Sequence, residues 1–141
     1  MIIQQLSVFL ENRSGRLTEV TEILANNKIN ISALSIAETA DYGVLRMIVD
    51  NPEKAIQALK KNDLSVHKTD VIAIITPDTP GALHQVIKHL SEEDINVAYM
   101  YGYSHENKAS IIMKVNEPNK AIRILQDKKV ELLSAGNFYE V

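Results

Sequence analysis

No cysteine and no tryptophan occur in the 141 residues, and phenylalanine occurs only twice. Without cysteine there can be no disulfide, thiol nucleophile or thiolate metal site. Proline and glycine are sparse, at 4 and 5 residues. No stretch is rich in them or in charge of one sign, so the whole chain is expected to fold without a disordered tail. No run of about 18 apolar residues exists, so no membrane partner or span is expected. The opening MIIQQLSVFLEN lacks the basic residues that precede the apolar part of a signal peptide, and it reads as a strand. A cytoplasmic location follows as an expectation. The net charge of -3 lacks the basic excess of a nucleic-acid binder, so no nucleic-acid partner is expected.

What the chain does contain is itself twice. A shift of 66 residues aligns the two halves without a gap and gives 13 identities. Gly15 and Leu17 fall on Gly81 and Leu83, Ile29-Asn30 on Ile95-Asn96, and Met47 and Val49 on Met113 and Val115. Pro52, Ala55, Ile56 and Leu59 meet Pro118, Ala121, Ile122 and Leu125. A shared offset for turn glycines, prolines and apolar positions marks an internal repeat, here two small domains at 1–68 and 69–141.

Each half reads strand, helix, strand, strand, helix, strand. Leu17, Val20 and Leu24, and again Leu83, Val86 and Leu90, form apolar stripes on helices near 14–27 and 80–93. Ser14 and Thr79 are candidate caps, and Pro80 suits a first helical turn. Second helices open at Asn51-Pro52 and Glu117-Pro118, and closing strands lie near 64–68 and 130–134. The fold class is therefore α+β, two ferredoxin-like βαββαβ modules with helices on one face of an antiparallel sheet.

On the third strands Leu45, Met47, Val49 and Ile111, Met113, Val115 should face the helices, as should Leu6, Val8, Ile72 and Ile74. Ile31 and Leu34, like Val97 and Met100, are three apart, which suggests a bulge after each asparagine. With the bulge, Leu34 and Ile36 belong to the core, and Tyr99, Tyr101 and Tyr103 point to the face away from the helices. Without it, the tyrosines cap the core. Tyrosines together with Ile48 and Ile112 would make that open face apolar enough to be an interface, most simply of a homodimer.

Catalytic constellations are scarce. His67, His84, His89 and His105 have no second ligand at a spacing that shares a helix face, so each reads as a surface or partly buried polar residue. No Walker loop or nucleophile elbow occurs, and neither an enzyme nor a bound metal or cofactor is expected. The strand-to-helix turns Glu11-Asn12-Arg13-Ser14-Gly15 and Pro77-Asp78-Thr79-Pro80-Gly81 remain, each followed by an asparagine, Asn30 or Asn96, that opens the next strand. A helix start offers free N–H groups to a carboxylate, but ordinary capping explains the same residues.

Turn and helix together, ENRSGRLTEVTEILANNKINIS and TPDTPGALHQVIKHLSEEDINVA, resemble the ACT domain, an amino-acid-sensing module of biosynthetic enzymes and their regulators. The resemblance covers essentially the whole chain. It implies a non-catalytic regulatory protein that binds a small amino acid where ACT domains meet and signals through a partner protein. By position it implies binding residues Asn12, Arg13, Ser14, Gly15, Asn30 and Ile31 in the first half, and Asp78, Thr79, Pro80, Gly81, Asn96 and Val97 in the second. ENRSG with INIS is similar to the serine-sensing domain of phosphoglycerate dehydrogenase, but Leu10 stands where that sensor carries a histidine, and Ser14 replaces the usual proline. A regulatory subunit of the acetolactate synthase type is a close variant of this reading. Two alternatives use the same fold: a single-strand nucleic-acid binder stacking bases on the tyrosines, and an acylphosphatase-like enzyme with Arg13 as its only candidate arginine.

Overall fold

The computed structural model describes residues 1–136, so the last residues of the expected second domain, 137–141, lie outside it. The elements run β1 (Ile3–Glu11), α1 (Arg16–Asn26), β2 (Ile31–Glu38), β3 (Tyr42–Val49), α2 (Pro52–Lys61) and β4 (Ser65–Pro77). They continue with α3 (Ala82–Ser91), β5 (Val97–His105), β6 (Lys108–Val115), α4 (Pro118–Asp127) and β7 (Glu131–Leu132). The chain divides into two compact modules. Gln4–Thr69 forms the first, and Asp70 onward, joined by Met1–Ile3, forms the second.

Within the first module the strand order is β2-β3-β1, with the start of β4 beside β1. Within the second it is β5-β6 and the end of β4, with β7 pairing β4 at Ile74↔Leu132. Each is the βαββαβ arrangement expected from the repeat, with antiparallel pairs throughout. The strand near 64–68, expected to close the first half, runs on without a break into the second half as the single 13-residue β4. Nothing at the junction breaks a strand: Lys68-Thr69-Asp70 contains neither glycine nor proline.

The helices bury one stripe each, as their spacing predicts. Val20, Ile23 and Leu24 of α1 and Ala55, Ala58 and Leu59 of α2 pack with Leu6, Val8, Leu45, Met47 and Val49. In the second module Val86 and Leu90 of α3 and Ala121 and Leu125 of α4 pack with Ile72, Ile74, Ile111, Met113 and Val115. Leu17, one turn ahead of Val20, is 41% exposed because α1 begins beyond the edge of this core.

Both bulges are present, between Ile31 and Ala33 and between Val97 and Tyr99. They set the faces. Leu34 pairs with Met47 and Ile36 with Leu45, so both point to the helix side. Neither is core, at 54% and 49% exposed, because β2 is an edge strand that the helices do not roof over. Tyr99, Tyr101 and Tyr103 pair with Lys114, Ile112 and Ser110, which places them on the face away from the helices.

Helix starts differ from the expected caps. The residue before α1 is Gly15 and the one before α3 is Gly81, with φ of 92° and 88° and no side-chain cap bond at either. Ser14 and Thr79 therefore stand one residue too early, because the chain enters each helix through a left-handed turn that favours glycine. Gly15→Ala should lose about 1–2 kcal/mol in urea denaturation from backbone strain alone, since an added Cβ at this position meets no atom within 4 Å. An unchanged midpoint would show that the turn relaxes freely.

Candidate ligand-binding site

The turn of the first module is held by its backbone. Asn12 N–H donates to Asp41 O at 2.9 Å, tying the turn to the β2–β3 connection. The Asn12 amide Nδ2 donates to Thr39 O at 3.5 Å and Ala40 O at 3.4 Å, long bonds that leave its oxygen for another donor. Beside it stands a cluster of charge. Glu11 pairs with Arg13 at 2.8 Å and with Arg16 at 2.9 Å, and Arg16 reaches Glu19 at 2.8 Å. The hydrogen bond and charge of Arg16, helped by Arg13, hold the Glu11 carboxyl below the usual carboxylate range.

One nitrogen of the Arg16 guanidinium is left over. Its two terminal nitrogens are engaged, yet its Nε is buried without a hydrogen-bond partner among the described residues. A buried unsatisfied donor of this kind usually marks a position for water or ligand. Arg16 also lines a cavity of about 420 Å³ together with Glu11, Asn12, Arg13, Glu38 and the apolar Leu10, Leu17, Ile36 and Leu45. Sequence reading missed Arg16, because a single arginine at a helix start looks like surface charge. The signal was present in Glu11 and Glu19, five residues before it and three after it.

The second module has the same hollow with different chemistry. A cavity of about 380 Å³ is lined by Asp78, Leu83, Gly102, Ser104, Ala109 and Ile111, with Met100, Tyr101 and Tyr103. The first six stand 66 residues after Asn12, Leu17, Ile36, Glu38, Gly43 and Leu45. Asp78 N–H donates to Asn107 O at 2.9 Å, repeating the Asn12 tie. Thr79 and Ala82 replace Arg13 and Arg16, so no arginine lines this hollow.

Other expected site residues are placed less directly. Ser14, Gly15, Asn30 and Ile31 do not line the first cavity, and Thr79, Pro80, Gly81, Asn96 and Val97 do not line the second. The two asparagines serve the backbone. Asn30 N–H donates to Asp50 Oδ1 at 3.0 Å, and Asp50 N–H returns a bond to Asn30 O at 3.1 Å. Asn96 and Asn116 repeat this clamp at 3.0 and 3.2 Å, so Asp50 and Asn116 set where each second strand begins. Of the residues expected at an interface, Ile48 and Ile112 are already buried within the single chain, at 0% and 2% exposed, and need no second copy to cover them. Tyr103 is 54% exposed, and Tyr99 and Tyr101 are partly buried. Among the described residues no group of three or more His, Asp or Glu could hold a metal, and no helix is long and apolar enough to cross a membrane.

Two βαββαβ modules in tandem, each with a hollow at its first strand-to-helix turn, define a paired ferredoxin-like class of protein. The chain belongs to the ACT family: the family model for the ACT domain pair matches residues 1–141. Protein BT0572 from Bacteroides thetaiotaomicron is 50% identical, with a TM-score of 0.96 over 100% of this chain and 98% of that one. The regulatory subunit of aspartate kinase from Thermus thermophilus shares the fold at 14% identity, with a TM-score of 0.66 over 88% of this chain and 91% of that one. The acetolactate synthase small subunit of Haemophilus influenzae is 37% identical over 71 residues, which is 50% of this chain and 43% of that protein. This chain therefore matches less than half the length of that curated relative.

Proposed function

We propose that the protein is a non-catalytic regulator that binds a small amino acid at the strand-to-helix turn of its first ACT module, 1–68, and passes the signal to a partner enzyme. The observation that carries this reading is the first cavity, where Arg16 and Arg13 meet Glu11 and Glu38 around Asn12. An amino acid is a zwitterion. The Arg16 guanidinium suits its carboxylate, and Glu38 with the Asn12 oxygen suits its ammonium group. Leu17, Ile36 and Leu45 leave room for a small apolar side chain. Family likeness supports a site completed by the Asn-Ile segment of another ACT module. The module at 69–141 is proposed to bind the same ligand more weakly or not at all, since it lacks both arginines.

Signalling then requires that ligand favour one arrangement over another and that the partner distinguish them. The partner class proposed is an amino-acid biosynthetic enzyme, with the likeness to the acetolactate synthase small subunit as support. A homodimer belongs to the same proposal, with the exposed Tyr103 at its contact. The test is calorimetric titration of the full chain against the twenty amino acids, with the sedimentation mass read on the same sample. Saturable binding that is weakened by Asn12→Ala and Arg16→Met supports the reading. No binding to any of the twenty, with a folded sample, overturns it.

A further inference from the structure

A second pair of hollows is also related by the 66-residue shift, and here the two modules differ in sign. In the first module a small cavity of about 240 Å³ is lined by Phe9, Leu10, Arg16, Tyr42 and the acidic Glu11 and Asp63. In the second module the same place, between the end of β4, α3 and the α4–β7 turn, holds a cavity of about 430 Å³. It has been widened by replacing Phe9 with Ile75 and Arg16 with Ala82. Its chemistry has been inverted as well. Lys128 and Lys129 stand where Asn62 and Asp63 do, His89 where Ile23 does, and Thr76 where Leu10 does.

The turn that carries the lysines is unchanged, which makes the first module an internal control. Asp63 and Lys129 both take left-handed φ, 61° and 60°, and both donate a backbone N–H to the carbonyl three residues back, at 3.0 and 2.9 Å. Only the side chains have changed. Thr76 is 4% exposed yet lines the cavity, as does the amide of Gln85, so neutral donors accompany the cations. An adjoining hollow of about 230 Å³ shares the walls Ile75, Thr76 and Pro77 and adds Lys108, which replaces Tyr42. Among the described residues, Glu131 is the one carboxylate lining either hollow.

We propose that this cavity binds a small metabolite through an oxyanion, a phosphate or a carboxylate, held by Lys128 and Lys129 with Thr76 and Gln85 beneath. Its volume lies in the usual range of about 300–1,000 Å³ for small-molecule sites. The site is separate from the amino-acid cavity of the first module, and neither depends on the other.

The test follows backbone amide chemical shifts of the full chain during titration with inorganic phosphate and, separately, with citrate, at low ionic strength where such attraction is least screened. The expected result is saturable shifts at Gln85, His89 and Lys128 to Glu131 with one of the two probes, and none at Asn62 to Ser65. Lys128→Gln with Lys129→Gln should weaken that binding by about tenfold or more. Ala82→Leu, which fills the space that the small residue leaves, should block it. Both lysines are exposed, and the same spectra report that the variants are folded. Saturation by phosphate or by citrate identifies the oxyanion. No shifts, shifts spread over Lys54, Lys60 and Lys61 without saturation, or equal affinity in the double variant would each overturn the proposal.

Discussion

Replacing Arg16 with methionine should weaken amino-acid binding by about tenfold to a hundredfold while leaving the fold almost as stable as before. The size follows from the loss of a charge-assisted hydrogen bond from the Arg16 guanidinium, worth about 1.5–3 kcal/mol. Methionine keeps an unbranched apolar stem, so the packing of a side chain that is only 26% exposed is largely retained. The ion pairs lost with Glu11 and Glu19 lie at the surface, where such pairs contribute little. Acid should act on the same cluster. Glu11 has its folded pKa depressed by Arg16, so its contribution is present at neutral pH and is lost as the pH falls through that lowered value, below the ordinary carboxylate range. A carboxyl-carbon NMR titration of Glu11 in Arg16→Met should move its midpoint back up. Unchanged affinity in Arg16→Met would remove the arginine from the site, and an unmoved midpoint would remove it as the cause of the shift.

What could be read from the sequence, and what could not, divides along a physical line. The repeat, the helix stripes and both bulges follow from patterns within a few residues of one another, such as Ile31 with Leu34 and Val97 with Met100. The exposure of Leu34 and Ile36 does not, because it depends on how far the helices extend over an edge strand. The caps were misread for a local reason: Gly15 and Gly81 carry the left-handed turn, and a serine or threonine one residue earlier looks like the cap. Asn12 was visible as part of a motif, whereas Arg16 was not, since its meaning lies in a buried nitrogen and two carboxylates around it. The basic cavity of the second module escaped notice because its residues come from three separate segments, each unremarkable alone. Laying residues 62–65 over 128–131 shows the exchange at once.

Leu59→Ala and Leu125→Ala should be the most destabilising single changes considered, at about 2–5 kcal/mol each. Both leucines are fully buried, both sit on the inner stripe of the second helix of their module, and they are repeat partners. Chemistry is identical at the two sites, so any difference between them measures how well the surroundings can close over the void. Leu59 is enclosed by buried neighbours such as Leu24, Leu64 and Val66. Around Leu125 more of the wall is partly exposed, including Ile122, Ile124, Val130 and Leu132, and can move inward. Leu59→Ala is therefore expected to lie nearer the upper end of the range and Leu125→Ala nearer the lower. Native-state hydrogen exchange reads both effects by module, since faster exchange of protected amides should be greatest in β1 and β3 for Leu59→Ala and in β6 for Leu125→Ala. If the order of the two losses were reversed, the second module's core would be the more rigid one, and its partly buried rim would be a wall that does not yield.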